Sequence, residues 1–128
     1  MSDFVLDASA ILAVVFKEPG RDVVLDILAS DAFISAVNLS EAISKMLDRG
    51  FSEERAIQEL ANLRLETRPF DETDAEAAGL LRSLTRSAGL SIGDRACFAL
   101  GRSLGLPVVT ADRIWAQLNL GVQVELIR

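Results

Sequence analysis

Short apolar runs alternate with stretches of helical periodicity along the whole chain. Phe4-Val5-Leu6 reads as a strand closing on Asp7, and residues 8–16 as an apolar helix broken by Pro19-Gly20. An amphipathic helix is predicted over residues 21–29 and a second strand over 32–37. Leu39, Ile43, Met46 and Leu47 then recur at helical spacing until Gly50 stops the helix. Ser52-Glu53-Glu54 opens another helix, with Ile57, Leu60 and Leu63 on one face. A third strand is predicted over 65–70, and a long helix over 71–87 that ends at Ala88-Gly89. Residues 92–104 are apolar on nearly every side, which predicts a buried helix. A fourth strand over 107–110, a short helix over 113–118 and a last strand over 122–127 complete the pattern.

Strands that are apolar throughout, rather than alternating, belong to a parallel sheet covered on both faces. The expected fold is α/β, three layers, with a short and mainly parallel central sheet of five strands flanked by helices. The 128 residues show no linker, repeat or low-complexity stretch, so one domain over 1–128 is expected. The longest apolar run, Ala10 to Phe16, is far too short to span a membrane. Asp3 and the lack of a basic residue before that run argue against a signal peptide.

Composition narrows the chemistry. There is no histidine, which excludes Ser-His and Cys-His nucleophile pairs and every histidine-ligated zinc site. A single cysteine, Cys97, excludes an internal disulfide and any CxxC motif, and fits a reducing compartment such as the cytoplasm. There is no tyrosine, and the only lysines are Lys17 and Lys45. Reactive groups are therefore carboxylates, hydroxyls and arginines. The net charge of −6 gives no overall attraction for phosphate, although acids gathered around a cation reverse their local sign.

Four carboxylates stand out by position: Asp7, Glu41, Asp94 and Asp112. Each has an ordinary explanation. Asp7 and Asp112 precede helices, where an aspartate caps free backbone N–H groups. Glu41 lies three residues after Asn38, the spacing of a capping box, and four before Lys45, the spacing of a helical ion pair. Asp94 follows Ser91 into the first turn of its helix, where the dipole favours an anion. Their shared location changes the picture. In a parallel sheet, strand ends and the starts of the following helices share one rim, where such folds bind ligands. Asp7 and Asp112 follow the first and fourth strands, and Glu41 opens the helix after the second. The helix carrying Asp94 ends beside the start of the fourth strand, and a dozen residues carry its N-terminus back about 18 Å to the same rim.

Convergent carboxylates raise one another's pKa unless a cation cancels the charge. An all-oxygen ligand set suits Mg²⁺ or Mn²⁺ rather than zinc. Such ions activate water and neutralise charge in phosphodiester hydrolysis, so a metal-dependent nuclease is the favoured chemistry.

Four segments carry a family resemblance: Val5-Leu6-Asp7-Ala8-Ser9-Ala10, Ser35 through Glu41, Leu90 through Cys97, and Val109 through Arg113. Through them the whole chain resembles the PIN-domain ribonucleases, and within them the VapC-type toxins of bacterial toxin–antitoxin pairs. The resemblance implies that Asp7, Glu41, Asp94 and Asp112 form the metal site, with Ser9 and Thr110 supporting it. It further implies an RNA substrate, a cognate VapB-type antitoxin and a homodimer. Arg95 and Arg113, each following a site acid, are candidates for holding RNA phosphate or a partner carboxylate, or else are solvated or locally paired. Cys97 reads as core filler, Trp115 as an anchor of its short helix or a border of the substrate groove, and Asp71 to Asp74 as helix-start acids. Two other classes compete. A phospho-acceptor signalling module requires an acidic pair after the first strand and a lysine after a late one, and Asp7 stands alone on its loop. A non-catalytic binding module would keep the acids as helix caps only.

Overall fold

The computed structural model describes residues 3–128. Its sheet runs through β1 (Phe4–Leu6), β2 (Ala32–Ser35), β3 (Glu66–Arg68), β4 (Val108–Thr110) and β5 (Val124–Leu126). The spatial order is β3-β2-β1-β4-β5, and every neighbouring pair is parallel. Parallel strands need crossovers, and helices supply them: α1 (Ala8–Val15), α2 (Arg21–Leu28), α3 (Ala36–Asp48), α4 (Glu53–Asn62), α5 (Glu72–Leu80), α6 (Arg82–Thr85) and α7 (Ile92–Leu104). The fold is α/β and three-layered, as the apolar strands predicted.

The two-residue pleat divides the core. Leu6, Ile34 and Val109 face one side, packed with Ile11, Val24, Met46 and Leu60 from α1 to α4. Val5 and Val108 face the other, against Cys97, Phe98 and Leu100 of α7, Leu81 and Trp115. Phe98 and Trp115 stack with ring centroids 4.5 Å apart, and both are fully buried. Trp115 therefore anchors the 3₁₀ turn Arg113–Gln117 and borders no groove.

Several element boundaries differ from the expectation, the last strand among them, which keeps only Val124–Leu126. The second strand ends at Ser35 instead of running to Val37, because the Ser35 hydroxyl accepts from Val37 N at 3.2 Å and starts α3 there. The third strand keeps only Glu66–Arg68. The long helix over 71–87 is broken into α5, α6 and the 3₁₀ turn Arg86–Ala88. Gly79 weakens its interior, and the buried Thr85 hydroxyl donates back to Leu81 O at 2.9 Å, which favours a bend. Helix α7 has the predicted limits, and its buried face runs from Ala96 to Gly101 while Ile92, Arg102 and Ser103 meet solvent. Among the described residues no helix is long and apolar enough to cross a membrane.

The entry to α2 is a close backbone turn. Gly20 has φ +94°, and a Cβ there would overlap the Ile127 carbonyl. Gly20→Ala is expected to destabilise the protein by about 3 kcal/mol, combining left-handed strain with overpacking. Urea denaturation measures it, and a loss below about 1 kcal/mol would mean the turn relaxes freely.

Candidate metal centre

The sheet's carboxyl-end rim is where the sequence placed its acids. Asp7 follows β1 directly and caps α1: its Oδ1 accepts from Ala10 N at 2.9 Å and from the Ser9 hydroxyl at 2.7 Å. Its Oδ2 accepts from the Thr110 hydroxyl, at the end of β4, at 2.6 Å. Those hydroxyls are themselves held by backbone. Ser9 Oγ accepts from Ala111 N at 2.9 Å, and Thr110 Oγ1 from Asp112 N at 3.0 Å. The Asp7 carboxylate is thus fixed from α1 on one oxygen and from the end of β4 on the other.

Asp7 is 5% exposed, and no ion pair among the described residues includes it. Burial pushes its carboxyl up to about 6, against the lowering pull of the Thr110, Ala10 and Ser9 hydrogen bonds, and the Asp94 charge adds to the rise. Three bonds leave room on a carboxylate with about four lone-pair sites.

Asp94 sits half-buried in the first turn of α7. It forms a capping box with Ser91: Asp94 Oδ2 accepts from Ser91 N at 3.1 Å, and Asp94 N donates to Ser91 Oγ at 3.2 Å. That bond leaves Asp94 Oδ1 without a hydrogen-bond partner among the described residues. Glu41 differs from its expected capping role. The N-cap of α3 is Ser35, which puts Glu41 in the second turn, beyond reach of any cap. The pair with Lys45 is not formed either. Instead Glu41 Oε1 accepts from Asn38 Nδ2 at 2.8 Å, and the same amide donates to Gly93 O at 2.9 Å. A Cβ at Gly93 would overlap the Glu41 carboxylate, so glycine there is what lets α3 bring its acid against α7. This contact verifies the step that carried Asp94 back to the rim.

Asp112 stands further out. It is exposed, caps the 3₁₀ turn by accepting from Ile114 N at 3.1 Å, and connects to Asp7 through the Thr110 hydroxyl. The Cys97 thiol of α7 is buried in the core. Burial pushes it well above its ordinary value, and the charges of Asp7, Asp94 and Glu41 all add to the rise. It stays protonated and fills core. The structure thus brings Glu41 against the first turn of α7, which carries Asp94, with Asp7 buried at the end of β1 and Asp112 exposed after β4.

The arginines separate. Arg95 turns to α5, where Nη1 donates to Ala78 O at 3.0 Å. Arg113 is exposed and joins no ion pair among the described residues. Asp71 and Asp74 form a second capping box at the start of α5. Asn38 and Gly93 were invisible as functional positions in the sequence. The single hint was an asparagine three residues before a rim glutamate.

Among the described residues no three acidic or thiol side chains converge into a ready-made cage for an ion. The donor set nevertheless fits Mg²⁺ or Mn²⁺. Mg²⁺ binds through one or two carboxylates and keeps several waters, and Asp7 is a buried carboxylate with no ion-pair partner among the described residues. The fit is to a hard ion in a half-open site.

An all-parallel sheet covered by helices, with acids on its carboxyl-end rim, defines an α/β class that binds ligands at that edge. The chain belongs to the PIN domain family, whose model matches residues 4–120. It is similar in fold to a DNA-bound VapBC from Salmonella typhimurium, with TM-score 0.75, 24% identity and all of both chains covered. It is similar to VapBC-5 from Mycobacterium tuberculosis, with TM-score 0.61, 27% identity, 100% of this chain and 99% of that one covered. A third likeness is to VapC20 from Mycobacterium tuberculosis, a sarcin-ricin loop cleaving toxin. There the TM-score is 0.72 and the identity 16%, with 89% and 93% of the two chains covered. No curated protein sequence matches the chain.

Proposed function

We propose that this protein is an Mg²⁺- or Mn²⁺-dependent endoribonuclease, the toxin of a toxin–antitoxin pair. The observation that carries the reading is Asp7, a carboxylate buried at the rim of a PIN fold with no ion-pair partner among the described residues, and raised further by the Asp94 charge. A divalent ion bound there supplies an activated water and neutralises charge on the scissile phosphodiester. Asp7, Asp94 and Glu41 would hold it, and Asp112 would complete the outer side. Ser9 and Thr110 keep the Asp7 carboxylate oriented by donating to its two oxygens. Arg113, exposed beside Asp112, is free to take an RNA phosphate, while Arg95 is engaged with α5. Incubating the purified protein with cellular RNA, with Mg²⁺ or with EDTA, and sequencing the new ends tests the reading. Cleavage that persists in EDTA, or none with either ion, would overturn it.

Glu41→Gln gives a sharper contrast. Glutamine still accepts from Asn38, so the melting temperature without metal should hold, while cleavage falls on the order of 10²-fold with the lost anionic ligand. Normal cleavage would remove Glu41 from the site.

A cytoplasmic ribonuclease needs restraint, and the similar structures include a toxin–antitoxin complex from Klebsiella pneumoniae and a member of the VapBC family of toxin–antitoxin systems. We expect a cognate VapB-type antitoxin whose inhibitory end brings arginine to the acidic rim, and a homodimeric toxin. Pull-down from native cells followed by mass spectrometry tests for the partner. One observation favours a second reading, a non-catalytic module: Asp7, Asp94 and Asp112 each do cap a helix or turn. Calorimetric titration with Mn²⁺ separates the two, since caps alone bind no ion.

A further inference from the structure

We propose that Asn38 is a positioning residue, holding the Glu41 carboxylate at a fixed distance from the first turn of α7. The inference rests on the reading of Glu41 and Asp94 as metal-site acids. Asn38 is 1% exposed, and its single Nδ2 group bridges two elements: Glu41 Oε1 on α3 at 2.8 Å and the Gly93 carbonyl, one residue before Asp94, at 2.9 Å. Both N–H groups are used. With them committed, Asn38 Oδ1 is left buried without a partner. An orphaned acceptor costs about 1–3 kcal/mol, a penalty that a leucine of similar size would avoid. Packing alone therefore does not explain an amide at this position.

What the amide achieves is order in a flexible acid. No other hydrogen bond or ion pair among the described residues holds Glu41. A free glutamate side chain loses up to about 2 kcal/mol of rotamer entropy when it is fixed. Holding it beforehand removes that cost from ion binding. Gly93 completes the device, because any Cβ there would fill the space the carboxylate occupies. The clasp sets the α3 acid and the α7 acid in one spatial relation, with Asn38 touching neither ion nor substrate.

The test is Mn²⁺ titration by calorimetry on the metal-free protein, together with its melting temperature. Asn38→Leu is expected to weaken Mn²⁺ binding about 10–100-fold, with the metal-free melting temperature unchanged or raised. In the Glu41→Gln background, the same substitution should change Mn²⁺ affinity by less than about twofold, because its effect passes through Glu41. Undiminished Mn²⁺ affinity in Asn38→Leu would overturn the proposal while leaving the metal site standing. Equal losses in both backgrounds, or a matching fall in metal-free stability, would make Asn38 a packing residue only. No Mn²⁺ binding by the wild-type protein would overturn this proposal and the proposed function together. If Asn38→Leu does not fold, Asn38→Ala removes the same donors and is read by its Mn²⁺ affinity in the two Glu41 backgrounds alone, because the cavity it leaves lowers the melting temperature by itself.

Discussion

Asp7→Asn is expected to yield a protein that melts higher than the wild type without metal and cuts RNA about 10²–10³-fold more slowly. The two effects share one cause. The Asp7 carboxyl is raised from 3.8 to about 6, chiefly by burial, so the folded protein holds this proton more tightly than the unfolded chain. Stability then falls as pH rises from about 4 to about 6, because the unfolded chain releases the proton first, and it levels off above the folded value. Above pH 6 the ionised group costs about 3 kcal/mol, given 1.36 kcal/mol per unit. Asparagine has no charge to bury and still offers an oxygen to Ala10 N, so most of that cost disappears. The melting temperature at pH 8 should rise by several degrees, and the difference should shrink toward pH 4. Adding Mg²⁺ should stabilise the wild type and leave the variant unmoved. Scanning calorimetry across pH, with and without Mg²⁺, measures all of this. A variant that melts below the wild type at pH 8, or still cleaves, would end this account of Asp7.

Asp94→Asn is expected to lose cleavage on a similar scale, on the order of 10²-fold or more, but with its melting temperature nearly unchanged. Asparagine can accept from Ser91 N as aspartate does, so the capping box is largely kept. The charge beside Asp7 and the unengaged carboxylate oxygen are lost. The chain carries its own control in the Asp71–Asp74 box of α5, which has the same geometry on an exposed helix start. Asp74→Asn should shift stability by a similar small amount and leave cleavage intact. RNA cleavage rates for the two variants, with denaturation curves beside them, decide the matter. Equal activity in both would mean that Asp94 is a cap and nothing more.

The rim acids were legible because they follow from strand order. Once Phe4-Val5-Leu6 and Val109-Thr110 are strands of a parallel sheet, Asp7 and Asp112 must emerge on one edge, and the length of α7 returns Asp94 to it. The all-parallel sheet was legible in the same way, from strands apolar on both faces. Periodicity could not distinguish one long helix from α5, α6 and a 3₁₀ turn. That break depends on a buried hydroxyl bonding back to the helix, and on packing against α7.

Glu41 shows the boundary most sharply. Its spacing from Asn38 fitted a capping box, and local sequence gave no reason to prefer Ser35 as the cap. The sheet made that choice. Ser35 ends β2 paired to Arg68, and α3 starts as soon as that pairing ends. Asn38 is thereby turned inward, toward a carbonyl 55 residues away in sequence. The sequence by itself determined the class of fold and the edge on which its acids lie, because both depend on local periodicity and chain length. Tertiary packing decided that Asp7 is buried while Asp112 is exposed, that Arg95 turns to α5, and that Asn38 and Gly93 hold Glu41 in place. Those are contacts between distant segments, and they exist only once the layers have closed on one another.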